Sequence, residues 1–247
     1  MAAGQIRVGI GGWTFEPWRG TFYPEGLRQK DELAYVGEHL TATEINATYY
    51  GTQKPASFAN WAKAVPDGFQ FAVKASRYCT NRRVLAEAGE SIAKFVGQGI
   101  AELGDRLGPI LWQFMPTKKF DAEDFGAFLK LLPASVDGMT LRHALEVRHE
   151  SFDDPSFLAL ARDAGAAVVF ADHDEYPAIR GHDVGFSYSR LMRTREEEAT
   201  GYSTEEIADW AAKAREQAKA GDVYAFFISG AKVRAPAAAQ AMIVALK

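Results

Sequence analysis

His143-Ala-Leu-Glu-Val-Arg-His-Glu-Ser-Phe152 is the stretch whose reading decides the fold. Its centre, Leu145-Glu146-Val147-Arg148-His149, reads as a buried strand with a histidine where the strand ends. Alternate residues of a strand share a face, so Glu146 and Arg148 lie roughly 6 to 7 Å apart on one side, with Leu145 and Val147 on the other. Core strands seldom carry such charges, because desolvating either one alone costs several kcal/mol. A face of this kind fits the interior mouth of a barrel.

Seven further apolar runs have strand character: 7–11, 43–47, 69–74, 110–114, 167–172, 185–191 and 223–228. With 144–148 they make eight. Helix-like patterns fall between them, over 27–40, 57–65, 91–103, 120–132, 154–164, 203–218 and 235–246. Acidic residues after Phe120, Pro155 in a first turn, and the Ser203-Thr-Glu-Glu206 capping box mark three helix starts. Only the segment after the sixth strand, Tyr176–Arg180, is short and irregular. Alternation without a Ser/Gly/Pro linker implies one parallel sheet. Eight units in 247 residues favour closure into a single (β/α)8 TIM-like barrel, one domain over 1–247.

Bulk composition sets limits on partners. A net charge of −4 argues against a bulk nucleic-acid partner and leaves room for a local basic pocket. Cys79 is the single cysteine, so neither an intrachain disulfide nor a cysteine-based zinc cluster can form, which suits a reducing cytoplasm. No basic segment followed by an apolar run opens the chain, and no window reaches 18 continuous apolar residues, so neither a signal peptide nor a membrane span is expected.

Barrel enzymes place their chemistry at the C-terminal ends of strands. Here those ends supply Gly11-Gly12-Trp13, Glu44 with Asn46, Lys74, Gln113, Glu146 with Arg148 and His149, Asp172, Arg190 and Arg193, and Ser229 to Lys232. The strand starts read as mostly apolar. Glu44, Lys74, Glu146 and His149 are the candidate catalytic residues, and Trp13, Asn46, Gln113, Arg148, Asp172 and Arg190 the candidate ligand contacts. The competing reading is an internal ion-pair network that merely closes the barrel. His39, His143 and His182 read as structural, Cys79 as a small buried loop residue, and Arg193–Glu198 as a solvated loop.

The assembled residues resemble the YecE-like family (domain of unknown function 72), TIM-barrel-like proteins without an established activity. The resemblance rests on Gly9-Ile-Gly-Gly-Trp13, Trp18-Arg-Gly-Thr-Phe-Tyr-Pro24, Glu44-Ile-Asn-Ala-Thr-Tyr-Tyr50, Trp61, Pro66 to Lys74, Leu107-Gly-Pro-Ile-Leu-Trp-Gln-Phe114, and Leu145-Glu-Val-Arg-His149 with Ser151-Phe152. It implies the barrel and places Glu44, Asn46, Lys74, Gln113, Glu146 and Arg148 at matching positions. The chain departs from the family pattern at Asn81, where a histidine is usual, at Met192 within Arg190-Leu-Met-Arg193, and at Ser229. If those positions carry chemistry, the resemblance implies a divergent or inactive branch.

Three functions compete. The first is an enzyme or binder of a small anionic or polyhydroxylated molecule, with Lys74, Arg148 and Arg190 holding negative charge and a glutamate moving a proton. For that enzyme, a Schiff-base role for Lys74 needs a lowered pKa, which adjacent carboxylates oppose. The second is a metal-dependent isomerase or phosphodiesterase using Glu44, Glu146, Asp172 and a histidine; Lys74 and Arg148 would repel the cation, and no metal is assigned. The third is a non-catalytic binding protein or pseudo-enzyme. No cofactor is expected, because Gly9-Ile-Gly-Gly12 lacks the later glycine of a dinucleotide fingerprint.

Overall fold

The computed structural model describes residues 3–181 and 184–247; His182 lies outside them. Strands β1 (Ile6–Gly11), β2 (Ala42–Ile45), β3 (Gln70–Lys74) and β4 (Leu107–Gln113) begin the barrel. A small antiparallel hairpin, β5 (Ser135–Val136) and β6 (Met139–Thr140), stands apart from it. Then come β7 (His143–Glu146), β8 (Ala167–Val168), β9 (Phe170–Asp172), β10 (Phe186–Leu191) and β11 (Asp222–Phe227).

The barrel sheet has nine strands, all parallel, in the order β8-β7-β4-β3-β2-β1-β11-β10-β9. The expected eight become nine because the sixth expected strand is divided at Val169. Its first half pairs with β7 (Leu145↔Val168) and its second with β10 (Ser189↔Phe170). One chain segment thus touches both sheet edges at different heights, and the stagger of the strands closes the barrel there.

Helices α1 (Glu32–His39), α2 (Ala47–Tyr50), α3 (Pro55–Lys63), α4 (Arg77–Thr80), α5 (Gly89–Val96), α6 (Ala122–Leu129), α7 (Pro155–Asp163), α8 (Thr204–Gln217) and α9 (Ala235–Ala245) fill the crossovers. Local chemistry fixes several ends. Asp121 accepts from the amides of Glu123 and Asp124, and Asp154 from that of Ser156. Ser203 and Glu206 complete the capping box. The expected helix over 91–103 stops at Val96, because Gly99 takes φ 108° and leads into a separate 3-10 turn. No helix forms over 176–180, and a cavity of about 340 Å³ remains there, lined among the described residues by Phe170, Ser187 and Trp210. None of the helices is long and apolar enough to cross a membrane, among the described residues.

Strand alternation sorts the barrel interior into layers. The middle layer is apolar: Ala42, Ala72, Leu111, Ala144 and Ala167 leave room for Tyr188, Tyr224 and Phe226. Gly9 belongs here, since a Cβ on it would lie 2.0 Å from the carbonyl oxygen of Ala42 and 3.2 Å from the Phe226 ring. The bottom layer corrects the expectation of apolar strand starts. Arg142 donates to Asp222 (3.0 Å) and to Gln70 (3.1 Å), and Arg7 pairs with the same Asp222 carboxylate at 3.4 Å. The top layer is the ionic one.

Candidate functional site

Alternation along β2, β7 and β10 points Glu44, Glu146 and Arg190 inward at the C-terminal end of the barrel. Both carboxylates are fully buried and Arg190 is 3% exposed. Arg190 lies between them: Nε and Nη2 each donate to Glu44 at 3.0 Å, and Nη1 donates to Glu146 at 2.7 Å. The Tyr188 hydroxyl adds a bond to Glu44 (2.7 Å). Glu146 also accepts from Gln113 Nε2 (2.8 Å) and from Arg148 through Nε (2.8 Å) and Nη2 (2.7 Å). Burial by itself would raise the Glu146 carboxyl; Arg190, Arg148 and the Gln113 bond reverse that and hold it at about 2. Burial likewise opposes the charge on Arg190, and the two glutamates overcome it and raise its pKa.

Above this network opens a cleft of about 530 Å³, lined by Gly11, Trp13, Asn46, Lys74, Gln113, Arg148, Arg190, Ser229 and Lys232 among others. Its charged lining residues, among those described, are all basic. The carboxylates lie beneath it, each engaged by guanidinium. Lys74 is different. Its Nζ makes no ion pair among the described residues and sits 4.2 Å from the centre of the Tyr49 ring. Burial first, then the charge of Arg190, lower its pKa to about 8 against the pull of Glu44 and Glu146. Gly11 keeps the floor open, because a Cβ there would lie 2.7 Å from Ile228 Cδ1 and 3.3 Å from Asn46 Nδ2.

The structure brings Trp13, Asn46, Lys74, Gln113, Arg148 and Arg190 to one cleft, with Glu44 and Glu146 directly below. It does not bring His149 or Asp172 there. His149 caps a 3-10 turn, its Nδ1 accepting from the Ser151 amide at 3.1 Å. Asp172 faces away from the cleft and binds Arg193 (2.7 Å) and the Tyr202 hydroxyl (2.9 Å). Among the described residues no group of three His, Cys, Asp or Glu side chains is placed to hold a metal ion, and Arg190 occupies the gap between the two glutamates that a cation would need.

Other histidines have local roles. His143 accepts from Trp112 Nε1 (3.0 Å) and bonds the Pro133 carbonyl (2.9 Å), and His39 stacks on Tyr35. Cys79 is fully buried and burial pushes its thiol up to about 12. Of the departures noted above, Asn81 donates to the Tyr49 hydroxyl (3.1 Å), Met192 is buried, and Ser229 lines the cleft with φ 68°.

Sequence reasoning set Tyr49 and Lys232 after strands at the mouth without giving either a role, and missed Tyr188. Tyr188 was within reach, since it stands two residues before Arg190 and shares its face. The contact of Tyr49 with Lys74 was not, because the segment after the expected strand 43–47 forms a helical turn, Ala47–Tyr50, only in space. Lys232 reaches the cleft from the 3-10 turn Lys232–Arg234, its Nζ 4.3 Å from the Phe15 ring centre.

Comparison with known proteins agrees with this architecture. The chain is 24% identical over 157 residues to the UPF0759 protein YunF of Bacillus subtilis (strain 168), a match taking in 62% of this chain. It spans about half (54%) of that curated relative's length. A DUF72 family protein of Thermotoga maritima MSB8 superposes with TM-score 0.75 at 23% identity, covering 97% of this chain and 98% of the other. One from Enterococcus faecalis V583 gives TM-score 0.74 at 20% identity over 98% of each chain. The structural likenesses carry the fold alone. The model described as "Protein of unknown function DUF72" matches residues 7–247, and the chain belongs to that family.

Proposed function

We propose that the cleft binds a small anionic compound, phosphorylated or polyhydroxylated, and that it is the protein's ligand site. One observation carries this reading: among the described residues every charged group lining the cleft is basic, while both neighbouring carboxylates are buried beneath and neutralised by arginine. Glu44 and Glu146 offset Arg190 and Arg148, so Lys74 and Lys232 leave the cleft with excess positive charge. Guanidinium and ammonium groups in a partly desolvated cleft favour phosphate or carboxylate. The uncommitted carboxamide of Asn46, facing the same space, suits a hydroxyl.

Glu146 is a poor proton shuttle. A carboxyl held at about 2 is a weak base near neutrality, and its lone pairs are already engaged. A metal-dependent isomerase or phosphodiesterase is disfavoured for a separate reason, the guanidinium between the carboxylates. Lys74, its amine lowered to about 8 by burial and by Arg190, has proton chemistry near neutral pH.

Thermal unfolding with inorganic phosphate, sugar phosphates and the matching neutral sugars tests the reading. A ligand at 100 times its Kd stabilises by about 2.7 kcal/mol. For a chain of this size that corresponds to roughly 5–11 °C in Tm. The shift should appear with the anions, be small or absent with neutral sugars, and vanish in Arg148→Ala. No shift with any anion at millimolar concentration would overturn the proposal.

A further inference from the structure

We infer that Lys74 is a Schiff-base-forming lysine, condensing with the carbonyl carbon of a small phosphorylated aldehyde or ketone whose anionic end lies against Arg148 and Lys232. This deepens the proposed anion site and rests on it.

Placement carries the inference. Lys74 ends β3, paired with β4 at Leu111, and its carbonyl oxygen accepts from Thr48 Oγ1 at 2.7 Å. The base of the side chain is therefore held by two elements, and the ring of Tyr49 holds its tip. The expectation from sequence was that adjacent carboxylates would keep this amine protonated. The structure outweighs that objection: Glu44 and Glu146 still favour the charged amine, but arginine engages both of them, no acidic group lies within 4.0 Å of Nζ among the described residues, and burial with Arg190 prevails. Lysine nucleophiles are made by desolvation and by a second cation nearby, and both are present. The amine opens on a cleft of about 530 Å³, beside the carboxamides of Asn46 and Gln113.

The free-amine fraction follows from the environment. With the amine lowered to about 8, roughly a quarter is unprotonated at pH 7.5, against about one part in a thousand for an ordinary lysine. Lys232 shares the cleft, but only burial acts on it and no cation adds to the effect.

The step balances without a cofactor. The Nζ lone pair attacks the carbonyl carbon as the C=O π pair moves to oxygen, and a proton passes from nitrogen to that oxygen. The carbinolamine hydroxyl takes one proton from solvent water in the open cleft and leaves as water, while the nitrogen keeps its own proton and its lone pair forms C=N. The product is a protonated imine, which draws electrons from the neighbouring carbon and so suits reactions that make or break a bond there.

Borohydride trapping tests it on the full chain. The protein is incubated with dihydroxyacetone phosphate and sodium borohydride at pH 7.5, digested, and mapped by mass spectrometry. Hydride addition to the imine leaves a stable secondary amine. The expected result is an adduct at Lys74 more than tenfold above that at Lys232 or at exposed lysines such as Lys30 and Lys54. It should need borohydride, fall with added inorganic phosphate, and rise with pH about a midpoint near 8. Lys74→Arg, which keeps the charge and bulk, should show none at that position. Labelling spread evenly over the lysines, or centred on Lys232, would overturn the inference. If phosphate still raises Tm in that case, the anion site survives and only the covalent role falls; if phosphate gives no shift either, both fall.

Discussion

Replacing Arg190 by Met probes the network at its centre. The substitution leaves Glu44 with a single partner, the Tyr188 hydroxyl, and leaves Glu146 with Arg148 and Gln113. Breaking a buried ion pair by removing one member costs about 3–5 kcal/mol, chiefly through the orphaned charge. Two carboxylates lose a partner here, but only Glu44 loses its sole cation, so about 4 kcal/mol is expected. At roughly 2–4 °C per kcal/mol for this size, Tm should fall by about 8–16 °C. The double variant Arg190→Met/Glu44→Gln removes the orphaned charge and should recover about half of that.

The pH dependence has a definite sign. Glu146 is held near 2 instead of the ordinary 4.5, a difference equivalent to about 3 kcal/mol. A depressed carboxylate stabilises the fold above its unfolded value and loses that contribution as pH falls from about 4.5 towards 2. Without Arg190 the Glu146 carboxyl rises and less stabilisation remains to be lost. The Tm gap between wild type and variant should therefore be widest near pH 7 and narrower at pH 3.5, as measured by circular dichroism. A loss below about 3 °C at pH 7, or an equal loss at both pH values, would refute the assignment of Arg190 as the charge partner of the two glutamates.

Further substitutions separate site from scaffold. Gly9→Ala should destabilise by about 3 kcal/mol or more, since its Cβ meets backbone at 2.0 Å; a chemical-denaturation midpoint equal to wild type would contradict the packing. Gly11→Ala meets side-chain ends and no backbone, Ile228 at 2.7 Å and Asn46 at 3.3 Å, so it should fold with a nearly unchanged Tm yet lose most of the phosphate-induced shift. Asp172→Asn and His149→Gln should each cost about 1–2 kcal/mol of stability and leave that shift intact, because their partners lie outside the cleft. Ser203→Ala should cost about 1 kcal/mol through loss of the capping box, read as a Tm drop of a few degrees.

The inward faces were legible in the sequence because the strand period is local. Once 144–148 reads as a strand, Glu146 must share a side with Arg148, and the same rule places Glu44 and Arg190 at strand ends. Caps were legible too: Asp121, Asp154 and Ser203 act within three residues of themselves. The gap after the sixth strand was visible as a missing periodicity.

Pairing could not be read this way. Glu44 and Arg190 are 146 residues apart, and only the stagger that closes the barrel seats the guanidinium between two glutamates. The same closure divides the sixth strand at Val169, a position with nothing unusual in its sequence. His149 stands next to Arg148 in the chain, yet the strand ends already at Glu146 and the backbone beyond it turns the His149 ring onto Ser151. Asp172 ends an inner-wall strand on the outward side, where Tyr202 and Arg193 meet it. The sequence by itself determined that Glu44, Glu146 and Arg190 face the barrel interior near the strand ends, since that depends on alternation along single strands. Only the tertiary structure decided which charges cancel and that Lys74 is left without a carboxylate, since that depends on distances between strands far apart in the chain.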